Sequence, residues 1–219
     1  MSQYNNIYSL LTDESDGRLC EDIPEQACQE SPRNFVFMLS SLSLTKLGDA
    51  ITNPKTTLAW LVSALGAPGY VLGYLVPLRE SGAMIPQLFL GGVIRRLPVR
   101  KWVWVFGSLG QGLAMAGLAG VAITMDGTPA GWAMLGLVAL FSLCRRLSSI
   151  AYKDVLGKTI PKRRRGQLAG WASSVSGLIG VAVGLGVSLV SDTDLEVAVL
   201  AGLLAAGALL WWLASGIFA

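Results

Sequence analysis

Six ionisable side chains lie inside long apolar stretches of this sequence, and they are the residues best placed to do chemistry. Lys46 and Asp49 lie three positions apart in the first stretch, Arg79 and Glu80 are neighbours in the second, and Arg145 and Arg146 are neighbours in the fourth. An ionised group at the centre of a membrane span costs about 2.5–3.5 kcal/mol on insertion scales, so each needs a partner or a water-filled cavity. Three-residue spacing puts Lys46 and Asp49 on one helix face, where they can meet. Two readings of Asp49 stand at this point: a cavity-facing carboxylate that carries a proton or coupling ion, or one member of a pair solvated at the outer end of the first helix. Adjacent helical residues point about 100° apart. Arg79 and Glu80 therefore cannot share a face, and Asp49 is a candidate partner for Arg79. One of Arg145 and Arg146 is expected to line a cavity. Four of the six groups are cations and two are anions, an excess that an anionic or zwitterionic solute, or carboxylates from a second unit, would balance. Gln87, Gln111, Ser40, Ser43 and Thr45 either line the same path or tie helices together by hydrogen bonds.

The elements that must position these groups are membrane spans. Of 219 residues, 53% are hydrophobic and 14% charged, with 26 Gly, and the mean hydropathy is +0.55. Soluble domains carry about 25% charged residues. The class is all-α: a polytopic membrane protein of six transmembrane helices. The spans are read at Phe35–Thr52, Gly69–Leu97, Trp102–Met125, Gly131–Val155, Gly166–Val190 and Leu195–Phe218. About 20 residues at 1.5 Å each cross the hydrocarbon. The second span is longer than that and holds Pro77 and Pro86, which predict a kink or tilt. Asn53–Pro68 reads as an outer interfacial segment. Residues 1–33 form an acidic tail, expected to be disordered or surface-bound, and residues 34–219 form the bundle.

Arg95, Arg96, Arg100 and Lys101 follow the second span, and Lys153, Lys158 and Lys162 to Arg165 follow the fourth, whereas the opposite loops hold Lys55 as their one base. Positive charge collects on the cytoplasmic side. Both termini are therefore expected in the cytoplasm and the protein in the cell membrane, with Cys20 and Cys28 as reduced tail thiols. Gly107, Gly110, Gly112, Gly117 and Gly120 in the third span, and Gly177, Gly180, Gly184 and Gly186 in the fifth, suit close helix packing. Leu47-Gly48 with Pro54-Lys55 echoes Leu156-Gly157 with Pro161-Lys162, as two inverted three-helix repeats would.

Two loops carry a resemblance. Gly91 to Lys101 (GGVIRRLPVRK) is similar to the loop between helices two and three of the major facilitator superfamily, with Arg95 where that family has Asp. Asp154 to Gly170 (DVLGKTIPKRRRGQLAG) is similar to its loop between helices four and five, and Arg145 or Arg146 falls where many members carry an Arg on helix four. The resemblance implies a secondary transporter, or the N-terminal half of one, moving a small solute by alternating access. On that reading the mid-span charged and polar residues Lys46, Asp49, Arg79, Glu80, Gln87, Gln111, Arg145 and Arg146 are the expected solute pathway. Gate loops would be built on Gly91, Arg95, Arg96, Arg100, Lys101, Asp154, Arg164 and Arg165. The expected partners are the lipid bilayer, the solute with or without protons, and a second six-helix half from the same gene, another chain or a second copy.

A non-transporting membrane scaffold with a partner-binding tail is the alternative. No His is present, and no nucleophile–base spacing or phosphate loop can be found, so an enzyme is not expected, nor a cofactor or metal. Positive-inside topology accounts for the basic loops without nucleic acid.

Overall fold

The structure is a computed structural model that describes residues 2–12, 23–80, 101–188 and 193–219. The described residues form helices and connecting turns, with no strand among them. The helices are α1 (Ser2–Leu11), α2 (Glu25–Gln29), α3 (Ser31–Ile51), α4 (Thr57–Ala64), α5 (Tyr70–Glu80), α6 (Lys101–Thr124), α7 (Gly127–Thr159), α8 (Lys162–Ser188) and α9 (Thr193–Phe218). Four of them, α6 to α9, are long and apolar enough to cross a membrane, which makes this a membrane-embedded protein. The last four spans were thus legible to within a few residues.

The first two spans differ from expectation. Arg33, Lys46, Asp49 and four serines dilute the hydropathy of α3. Asn53–Pro68 is not an outer interfacial segment. Leu58, Leu61 and Val62 of α4 are fully buried in the main core, with Val71 and Leu75 of α5, Met115 of α6, Met134 and Phe141 of α7, and Leu204 and Trp211 of α9. Thr52, just beyond α3, lies against Gly207, halfway along α9. The helix therefore breaks inside the bundle, and α4 continues to the end where α7 begins, the Gly127 amide donating to the Leu65 carbonyl at 2.8 Å. Pro54 accounts for the break, since it lacks an N–H and clashes with a continuing helix. Of the second span, Tyr70–Glu80 is described, with Pro77 inside the helix; its remainder and Pro86 lie outside the described residues.

Neighbours alternate in direction. Ser41 reaches Ala214 and Gly48 meets Trp211, so α3 and α9 are antiparallel. Gly107 against Ser148 and Gly117 against Leu137 make α6 and α7 antiparallel, and Val105–Ser215 with Gly112–Ala208 do the same for α6 and α9. In contrast, α5 runs parallel to α7 (Val71 at Gly131, Glu80 at Arg146), and α3 runs parallel to α8 (Lys46 at Ser173, Ala50 at Gly180). Lys101, Lys158 and Arg163 thereby gather at the end of the bundle where α3 begins. The echo between Leu47-Gly48 and Leu156-Gly157 does not join matching depths. Gly48 is at mid-bundle against Trp211, while the Gly157 carbonyl, near the end of α7, accepts from Arg165.

The acidic tail is not structureless where it is described. Tyr8 of α1 stacks edge-on against Phe35 at 5.4 Å, and Leu11 joins a cluster with Met38, Ile160 and Leu168. Cys28 is disulfide-bonded, not a reduced thiol. Cys20 lies outside the described residues.

Candidate functional site

The break between α3 and α4 leaves backbone carbonyls without helical partners, and in a membrane interior each has to be satisfied by protein. The Gly48 carbonyl keeps its helical partner, the Thr52 amide at 3.0 Å, with Thr52 Oγ1 as a second donor at 2.8 Å, and beyond it Thr57 Oγ1 donates to the Ile51 carbonyl at 2.5 Å. The amides of Leu58 and Thr56 donate to Asn53. The Thr52 carbonyl is taken by the guanidinium of Arg79. Arg79 is 8% exposed, lies 4.7 Å over the ring of Phe141, and donates its other nitrogen to Asp49 Oδ1 at 3.2 Å. Arg145, on α7, donates to the same oxygen. One carboxylate thus joins α3, α5 and α7 through two arginines.

The surrounding charges are more open. Glu80 pairs with Lys55 at 3.1 Å, their side chains 55% and 61% exposed. Arg146 donates to the Glu80 carbonyl at 2.5 Å. Lys46 turns away from Asp49 and donates to Ser173 of α8 at 2.5 Å. Gln111 donates to Ser148 at 3.2 Å, across the α6–α7 contact.

Two cavities meet at this cluster. One of about 190 Å³ is lined by Thr45, Lys46, Gln111, Ser148, Tyr152 and Trp211, among others. The other, of about 390 Å³, is lined by Pro54, Arg79, Glu80 and Arg146. Asp49, Arg145 and Ser149 line both. The structure therefore brings Lys46, Asp49, Arg79, Glu80, Gln111, Arg145 and Arg146 around one pair of cavities. Asp49 lies at mid-bundle, not at an outer end. Both adjacent arginines of α7, not one, line a cavity.

Gln87, Gly91, Arg95, Arg96 and Arg100 lie outside the described residues. The other residues assigned to loops are at the far end of the bundle. Lys101 reaches the main-chain oxygen of Ala219 at 2.7 Å, and Asp154 pairs with Lys158 at 3.0 Å. Arg164 is buried with its guanidinium 5.2 Å from the Tyr8 ring centre. Arg165 donates to the Ile160 and Gly157 carbonyls. Sequence reasoning missed Lys55, Phe141, Ser148, Ser149 and Ser173. Lys55 was lost with the misplaced Asn53–Pro68 segment; Asn53-Pro54 after a polar helix was the available signal. Comparison with known proteins adds no assignment: no family model, curated protein or solved structure matches the sequence.

Proposed function

We propose that the chain is a six-helix unit of a secondary transporter, in which the charged cavities are the path of a small solute. One observation carries the reading. Lys46, Glu80, Arg145 and Arg146 line two cavities at mid-bundle, Lys55 pairs with Glu80 there, and the side chains of Lys55, Glu80 and Arg145 are 61%, 55% and 41% exposed. Each such charge would cost about 2.5–3.5 kcal/mol in hydrocarbon. This side must therefore face water, which a second six-helix unit, from another chain or a second copy, would enclose. Broken helices at a mid-membrane site are a recurring device of carriers.

The packing supports two inverted three-helix repeats, with the α3–α4 pair, α5 and α6 in one and α7, α8 and α9 in the other. Exchanging the two sets turns the α3–α9 and α3–α8 contacts into the α7–α6 and α7–α5 contacts, with their directions preserved. The separation of 96 residues between Asp49 and Arg145 also carries Thr52 to Ser148 and Gln111 to Gly207. The Gln111–Ser148 contact thus maps onto the Thr52–Gly207 contact. Gly112 and Ala208, which touch, map onto each other.

The test is aqueous access in native membranes. With Cys20, Cys28 and Cys144 replaced by Ala, Cys placed at Ser149 is expected to react with a small water-soluble thiol reagent, while Cys at Leu113, exposed on α6, is not. Equal protection at both positions would refute a hydrated path.

A further inference from the structure

We infer that Arg145 is the solute-binding residue for a small anion, taking a carboxylate or phosphate group in exchange for Asp49, and that the exchange joins the two cavities. The inference rests on the carrier reading and adds to it the class of solute and the group that recognises it. Asp49, Arg145 and Ser149 are shared by both cavities, so the Asp49–Arg145 ion pair is the partition between them. The two arginines on Asp49 are not equivalent. Arg79 is fixed by burial, by the Thr52 carbonyl and by the Phe141 ring. Arg145 has a side chain 41% exposed, and among the described residues its ion-pair partner is Asp49. If Asp49 leaves Arg145 it keeps Arg79, so no carboxylate is stranded.

The charges around the cavities favour an anion. With Arg145 released, Lys46 faces the smaller cavity and Arg146 the larger. Lys46 is held by a hydroxyl and Arg146 by a carbonyl, not by carboxylates. Glu80 is already neutralised by Lys55. A guanidinium binds carboxylate and phosphate through paired N–H donors, and a neutral or cationic solute offers nothing that displaces Asp49. Ser149, on the rim of both cavities, supplies a hydroxyl to the incoming group.

Trp104 and Trp211 line the smaller cavity, so tryptophan emission of the full chain in detergent micelles can report binding. The probes are succinate, inorganic phosphate and choline. Saturable change is expected with succinate or phosphate, the stronger of the two naming the group, and none with choline. Arg145→Gln should weaken binding about tenfold or more, the loss of one charged hydrogen-bonded contact. Asp49→Asn should tighten it about fivefold, because Arg145 is no longer occupied by a competitor, even as it lowers the melting temperature. A purely structural pair would make both variants weaker. Weaker anion binding in Asp49→Asn, competition by choline, or no saturable signal from either anion in wild type and Asp49→Asn overturns the exchange. Access to Ser149→Cys separates the two claims: if the thiol reacts and the anion results fail, the carrier reading stands without this solute class.

Discussion

Replacing Arg79 by Met asks whether the middle of the bundle is held by an arginine or by apolar packing alone. The substitution removes the hydrogen bond to the Thr52 carbonyl and the 3.2 Å contact with Asp49. A hydrogen bond to a charged group contributes about 1.5–3 kcal/mol, and an unpartnered buried carbonyl costs a similar amount. The stack on Phe141 at 4.7 Å adds about 1–2 kcal/mol in a desolvated site. Met returns about 1.5–3 kcal/mol of apolar burial, and Asp49 keeps Arg145, so the full cost of a stranded buried charge is not incurred. The net loss is about 2.5–5 kcal/mol, which for a chain of this size is a fall of roughly 8–15 °C in melting temperature. Thermal unfolding in detergent, followed with a thiol-reactive dye that reports Cys144 at the α6–α7 contact, measures it. Arg79→Lys keeps the charge without the planar fork and should lose about half as much. Arg146→Met removes one contact to the Glu80 carbonyl from an open position and should stay close to wild type. An Arg79→Met protein that melts like wild type, or an Arg146→Met protein that falls as far, would show the reasoning to be wrong.

Four further outcomes are expected in the same unfolding assay. Gly107→Ala should lose about 1–3 kcal/mol by overpacking, because its Cβ would stand 2.8 Å from the Cys144 carbonyl, whereas Gly120→Ala, with nothing within 4 Å, should not be destabilised. Trp211→Ala should lose about 3–5 kcal/mol, the cost of a large buried aromatic, since Trp211 is fully buried and packs edge-on against Phe141 at 5.2 Å. Lys55→Met and Glu80→Gln break an open ion pair and should each change stability by about 0–1 kcal/mol; a loss comparable to that of Trp211→Ala would contradict the open geometry. Pro54→Ala gives the Thr52 carbonyl a chance at a helical partner. A double-mutant cycle with Arg79→Met should then show the pair costing about 1–2 kcal/mol less than the two singles together, and strict additivity would sever Arg79 from the break.

What the sequence made legible follows from what hydropathy measures. The expected spans three to six read clearly because each of α6 to α9 holds a stretch long and apolar enough to cross a membrane, α7 in spite of Arg145 and Arg146. The first did not, because α3 carries Arg33, Lys46 and Asp49, and because Pro54 looked like the end of a helix when it marks an interruption. That one misreading put Lys55 in an outer loop and hid its pairing with Glu80. The pair Arg79–Asp49 was legible, since an isolated buried cation needs a carboxylate and Asp49 was a candidate at hand. The division of Asp49 between Arg79 and Arg145 was not, because it depends on α5 and α7 packing side by side so that both arginines reach the one carboxylate of α3, a tertiary fact with no local signature. Lys46 was assigned to Asp49 by spacing alone, but the proximity of Ser173 on α8 decides its direction.

The two arginines show why the break belongs at this depth. An unwound turn beside a carboxylate offers a carbonyl and an anion together, the usual makings of a cation site. Arg79 fills that place with a tethered cation, which satisfies the Thr52 carbonyl and holds Asp49 in position. With one arginine permanently engaged, Asp49 can release the other without being left alone in a low-dielectric interior, where an unpaired charge is most costly. On the exchange reading, burial of Arg79 is thus the condition for mobility at Arg145. On the exchange reading the asymmetry has a direct consequence: converting Arg79 to a neutral residue should lock Asp49 onto Arg145 and weaken anion binding, although Arg79 never touches the solute. Anion affinity that is unchanged in Arg79→Met would mean that Arg145 is not gated by the carboxylate it is seen to hold.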